Sequence, residues 1–149
     1  MCIRDRRLTW ELSFDIIVLA SSPGSHKCIL HLTTGNNAGQ AGSRIPGVWL
    51  LDQDFYISFN TDEAEQWFTY PNIPLNQKMS FKMERVLIAG QSFVRTFIDQ
   101  HLVSNQPHGF NEPFKNVKFY LGDPWYDPAP VKIFGLKYRS TTTKDKANP

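Results

Sequence analysis

Two stretches of this chain hold residues whose types and spacing could do chemistry, and the chemistry they suggest is recognition. The first is Asp123-Pro124-Trp125-Tyr126-Asp127-Pro128. A saccharide site needs planar aromatic faces for the apolar side of a pyranose, plus carboxylates or amides for its hydroxyls, and this segment has both. Pro124, Pro128 and Pro130 forbid a helix here. A second reading has Trp125 and Tyr126 plugging one end of a domain, with Asp123 capping the turn through its side-chain oxygen. The other stretch runs from Gly35 to Arg44, where Asn36, Asn37 and Gln40 sit among glycines. Side-chain amides on such a loop can bond hydroxyls. Arg44 could grip a carboxylate or sulfate bidentately, or pair with a nearby Asp or Glu to fix the loop. The candidate ligand-binding residues are therefore Asn36, Asn37, Arg44, Asp123, Trp125 and Tyr126.

The elements that must position these loops read as short strands. Leu12, Phe14, Ile16 and Val18 alternate with Glu11, Ser13 and Asp15, the period-2 pattern of a half-buried strand. Ser21 to Ser25 reads as a turn, and Lys27 to Thr33 as a strand with Cys28, Leu30 and Leu32 in one phase. Gly47 to Leu51 and Phe55 to Phe59 flank Asp52-Gln53-Asp54, the length of a hairpin connection. Gln66 to Tyr70 is a weaker strand stopped by Pro71 and Pro74. Met79, Phe81 and Met83 alternate with lysine, serine and glutamate, so that one face is wet. Phe93 to Ile98 and His101 to Val103 flank a two-residue turn, Asp99-Gln100. Val117, Phe119 and Leu121 share a phase, and Val131 and Ile133 restart the alternation after the proline-rich loop, so that the segment from Val117 to Tyr138 reads as a closing strand pair.

Nine or ten strands with turn signals every 8–12 residues, and no credible helix, predict an antiparallel β-sandwich or barrel. The expected core is Phe14, Leu30, Trp49, Phe55, Ile57, Phe81, Val117, Phe119 and Ile133. The chain's 149 residues fit one domain, and 41% hydrophobic residues with 13% aromatics supply a packed core. A net charge of +2, with no stripe of lysine and arginine, argues against nucleic-acid binding. No apolar run approaches the roughly 18 residues of a membrane span. Met1 to Arg7 lacks the apolar centre of a signal peptide and reads as a non-native leader. Residues 8–138 then form the domain, and 139–149 a polar, frayed tail. Cys28, alone in its strand, reads as a small buried hydrophobe. No Asn-X-Ser/Thr sequon occurs.

The order of elements resembles the concanavalin A-like, laminin G-like jelly-roll modules of animal extracellular proteins. Leu30-His31-Leu32-Thr33-Thr34-Gly35, Arg44-Ile45-Pro46, the tight turn within Arg95 to Val103, and the Asp-Pro-Trp of the closing loop carry the resemblance. Gln100 stands where such turns have glycine. The usual opening strand, which pairs with the closing one, has no counterpart, as in a truncated fragment. The resemblance implies a lectin-like adhesion module, extracellular or secreted, within a larger multidomain chain, with a glycan or an extracellular protein as partner. It also makes calcium at the sandwich rim possible, with Asp123 and Asp127 the first candidates for ligands and Asp52 and Asp54 the next.

Enzymes share that fold, but their signatures are missing. Hydrolysis needs two carboxylates flanking a bond, and Asp62-Glu63-Ala64-Glu65 adjoins a turn without the apolar residues that hold a catalytic strand. Gln100 and His101 are adjacent and face opposite sides of a strand. His26, His31, His101 and His108 form no metal-ligand spacing and read as surface or internally satisfied residues. The expected function is non-catalytic carbohydrate binding through end loops. A protein-interaction module is the alternative and a polysaccharide-active enzyme a distant third.

Overall fold

A computed structural model describes residues 8–37, 40–60, 65–107 and 116–142. It contains ten strands: β1 Leu8–Val18, β2 Ser22–Thr33, β3 Gly47–Asp52, β4 Asp54–Asn60, β5 Glu65–Tyr70, β6 Lys78–Ile88, β7 Gln91–Ile98, β8 His101–Pro107, β9 Lys118–Tyr120 and β10 Val131–Thr142. No helix occurs among the described residues. The strands form two five-stranded antiparallel sheets, ordered β10-β1-β6-β7-β8 and β5-β4-β3-β2-β9. The chain gathers into two compact units. One holds β1 as far as Asp15, β6 to β8 and β10 from Ile133. The other holds Ile16 to Lys78 and the described stretch 116–132.

In the first unit, the alternation of β1, β6 and β7 does what the pattern requires. Leu12 and Phe14 of β1 are buried with Met79, Phe81 and Met83 of β6, and the Phe14 and Phe81 rings stack at 4.7 Å. The opposite face of β6 and β7 pairs Lys82 with Phe97 and Glu84 with Arg95. There Arg95 bonds Glu84 at 2.5 Å, and Lys82 lies over the Phe97 ring. The turn between β7 and β8 has Asp99 at φ 47° and Gln100 at φ 68°. Two positive φ values make it a type I′ turn, and Asp99 Oδ1 steadies it by accepting the Ser80 amide at 2.9 Å.

In the second unit, Leu30, Val48, Leu50, Phe55 and Ile57 lie on one face of the sheet in register and are fully buried. The other face carries His31, Trp49, Tyr56, Ser58 and Trp67. Two loops are tied to the strands of this sheet. The proline-rich loop is held by backbone bonds from Cys28 to Asp127 and from Ala129 to Cys28, both 2.8 Å. The glycine-rich loop between β2 and β3 is held by bonds from Ile45 to Leu32 and from Asn60 to Arg44. Gly47 is required where it stands, because the Trp49 ring crosses it so closely that a Cβ would come within 2.0 Å.

Several expectations are corrected. Val117 and Phe119 are not core: they are 42% and 40% exposed. Phe119 has the expected phase, opposite Leu32, but β9 is a three-residue edge strand with no outer neighbour among the described residues. Ile133 is half-buried. The strands around the proline-rich loop are not a pair, since β9 joins β2 whereas β10 lies beside β1 in the other sheet. Ser21 to Ser25 is mostly strand: β2 begins at Ser22 and carries a register shift between Ser22 and Lys27, with Gly24 at φ 66°. Strand β10 continues through Arg139 to Thr142, so the tail does not begin at Arg139. Met1 to Arg7 and residues 143–149 lie outside the described residues.

Candidate functional site

The site is organised by a residue that the loop motifs do not advertise. His31 of β2 is fully buried, and its Nδ1 lies 2.6 Å from Asp123 Oδ2 while Nε2 lies 2.7 Å from the Ser43 carbonyl oxygen. A carbonyl only accepts, so Nε2 carries a hydrogen, and one further hydrogen bridges Nδ1 and Oδ2. One imidazole thus ties the glycine-rich loop to the proline-rich loop. Asp123 Oδ1 in turn accepts the backbone amides of Trp125 at 3.0 Å and Tyr126 at 2.9 Å. Asp123 is therefore an Asx cap and the partner of His31 at once, and both carboxylate oxygens are engaged.

A second polar link holds the glycine-rich loop from its other end. Arg44 pairs with Glu65 of β5, donates from Nε to the Asn37 carbonyl at 2.8 Å, and lies over the Trp49 ring at 4.7 Å. Glu65 also accepts from Ser58 at 2.8 Å. Asn60 Nδ2 reaches Ser43 Oγ at 2.5 Å. Burial raises the Tyr56 hydroxyl above its ordinary pKa, and the Glu65 charge adds to this while Arg44 opposes it. The Cys28 thiol, beneath the proline-rich loop, is pushed up to about 12, by burial first and by the Asp123 charge second.

The loop candidates now separate. Asn37 donates to the Tyr126 hydroxyl at 3.3 Å, so both loops meet there. Trp125 contacts His31 at 5.4 Å and Tyr120 at 6.2 Å but leaves 40% of its surface exposed. Tyr126 is half-buried against Trp49 at 5.7 Å. Asn36 is exposed and bonds within its own loop, to Gln40 and Thr33. Arg44 is buried and committed to Glu65, which makes it a brace.

The proposed calcium ligands do not converge. Asp123 has its oxygens occupied, Asp127 is exposed, and Asp52 and Asp54 accept the Gly24 and Asn72 amides. Among the described residues no group of three His, Cys, Asp or Glu side chains comes together to hold an ion. Of the acidic run at 62–65, only Glu65 lies within the described residues; His108 lies outside them.

Sequence reasoning missed His31, Glu65, Tyr56 and Trp67 as parts of the site. The signal available was phase: His31 and Tyr56 lie opposite the apolar phases of their strands.

No protein-family model matches this chain, and no curated protein sequence matches it. Solved structures do match in fold. A receptor-binding domain of botulinum neurotoxin type G superposes with TM-score 0.61 at 11% identity, over 87% of this chain and 34% of that one. Sheep galectin-11, in complex with glycerol, gives 0.52 at 12% identity, over 92% and 99%. An alginate lyase in complex with dimannuronate gives 0.59 at 11% identity, over 94% and 66%. The chain thus spans about a third of the toxin domain, two-thirds of the lyase and the whole galectin. All are β-sandwich jelly rolls, and this chain has that fold.

Proposed function

We propose that this chain is a non-catalytic glycan-binding module of laminin G-like type, acting outside the cell as part of a larger protein, and that Trp125, Tyr126 and Asn37 contact the saccharide. The observation that carries this reading is the mounting of Trp125. Its ring is 40% exposed, yet its backbone is pinned to Asp123, which a buried histidine clamps in turn. An aromatic face presented on a pre-ordered loop loses little entropy when a ligand arrives. A saccharide ligand in one structural neighbour agrees with it, since the alginate lyase is in complex with dimannuronate.

That same neighbour favours a second reading, a polysaccharide-active enzyme. Against it, a cavity of about 330 Å³ in the first unit is lined by Ser80, Lys82, Phe97 and Gln100, and among these described residues there is neither carboxylate nor imidazole. General acid–base cleavage needs such groups within reach of the bond.

The test is glycan-array binding of the parent and Trp125→Ala, alongside an assay for reducing ends and unsaturated products. The reading expects parent binding, its loss in the variant with thermal stability kept, and no product. Binding only to extracellular proteins, or product release abolished by a single Asp or Glu change, would overturn it.

A further inference from the structure

Trp67 has no part in holding the two loops, yet it is the more exposed of the two exposed tryptophans on this face, at 55%. It lies on β5, the edge of the sheet opposite β9, and its register partner Ser58 puts it on the same face as Tyr56 and Trp49. Its ring stacks on Tyr56 with centroids 5.5 Å apart and planes 19° from parallel. Tyr56 meets His26 edge-on at 5.1 Å, and His26 meets Tyr126 at 6.3 Å. Tyr126 is the chain neighbour of Trp125. Buried Trp49 underlies the middle of the row, 6.0 Å from Tyr56 and 5.7 Å from Tyr126. His31, 5.2 Å from Trp49 and 5.4 Å from Trp125, completes an aromatic band with an exposed tryptophan at each end.

We infer that the ligand of this face is an uncharged glycan chain of several sugar residues, lying along the band from Trp125 to Trp67; this rests on the glycan-binding reading above. The length follows from the sheet. Trp125 packs against Tyr120 of β9 and His31 of β2, so it stands three to four strand spacings from the β5 edge, about 14–19 Å. That exceeds the breadth of one sugar ring. The basic groups buried beneath the band call for no charge in the ligand, although the exposed Lys118 shares the face of Tyr120 at the β9 edge. Arg44 is matched by Glu65 and His31 by Asp123, so neither is left to attract a uronate or a sulfate. Hydroxyl partners remain at intervals, in the Asn37 amide, the Tyr126 hydroxyl and the exposed Thr69 beside Tyr56.

The experiment titrates the protein with neutral gluco-, manno- and galacto-configured oligosaccharides of one to six residues, and with oligouronates of the same lengths. For the parent, affinity should rise with length in one neutral series and exceed that for every oligouronate. Trp67→Ala should match the parent on the shortest sugar bound and lose about fivefold to tenfold on the longest, the worth of one aromatic contact. Trp67→Phe, which keeps a ring on Tyr56, should recover part of the loss. Trp125→Ala should weaken all lengths. A length-independent parent, a Trp67→Ala variant equal to the parent throughout, or preference for the oligouronates would each overturn the inference while leaving glycan binding intact. A parent that binds no saccharide would refute the underlying reading instead.

Discussion

Replacing His31 with leucine should unfold the site more than its single hydrogen-bonded pair suggests. Both side chains of the His31–Asp123 pair are completely shielded from solvent. Leucine fills the space but leaves Asp123 Oδ2 and the Ser43 carbonyl without the partners they have at 2.6 and 2.7 Å. Each buried polar group stranded without its partner costs about 1–3 kcal/mol, more if it is charged, so the two together come to about 3–5 kcal/mol. For a chain of this length that corresponds to a fall of roughly 10 °C in melting temperature. Asp123→Asn should behave quite differently. The amide oxygen still accepts the Trp125 and Tyr126 amides, and the new NH2 can donate to Nδ1 while Nε2–H still donates to Ser43. Every partner is kept, so the cost should be about 1 kcal/mol or less. Urea unfolding followed by tryptophan fluorescence measures both, and hydrogen exchange at the Trp125 and Tyr126 amides shows whether the loop opens locally. An Asp123→Asn variant as unstable as His31→Leu would falsify the assignment of a single bridging hydrogen. A His31→Leu variant within about 1 kcal/mol of the parent would show that the pair does not hold the loops.

Three further outcomes are expected. Gly47→Ala drives a methyl into the Trp49 ring and should cost about 3 kcal/mol by overpacking, seen as a lower urea midpoint; an unchanged midpoint would mean that the ring swings aside freely. Gln100→Gly relieves a left-handed glutamine and should stabilise by about 1 kcal/mol, read as a higher melting temperature; a loss of stability would point to a contact of the Gln100 side chain. Because the Cys28 thiol rises from 9.0 to about 12 on folding, the unfolded state releases its proton first as pH increases. This contribution to stability is intact below pH 9.0 and declines from there towards about 12. Cys28→Ala should flatten that decline, and identical pH profiles for the two proteins would refute the shift.

How much of this was legible beforehand depends on the range of the interactions. The alternation in β1, β4, β6 and β7 is local, because successive residues of a strand face opposite ways, and it located these strands and most of their buried residues. The hairpin at Asp52 to Asp54 and the turn at Asp99-Gln100 are local too, as is the Asx cap of Asp123 on its own loop. The sequence therefore determined an all-β chain and pointed to Trp125, Tyr126 and Asn37 as loop residues worth watching. Tertiary structure decided what no window of neighbouring residues contains. His31 and Asp123 are 92 positions apart, and Arg44 meets Glu65 only because the β4–β5 pairing brings β5 alongside. That pairing also selected, of the two readings of Arg44, the loop brace over the ligand contact. Phe119 had the pattern of a core residue and lost it to an edge position, which sheet order alone assigns. Trp67 shows the same limit: its phase was readable, but its place at the end of an aromatic band depends on four neighbouring segments. Alternation fixes which way a side chain points, whereas strand order and loop return fix what it meets there.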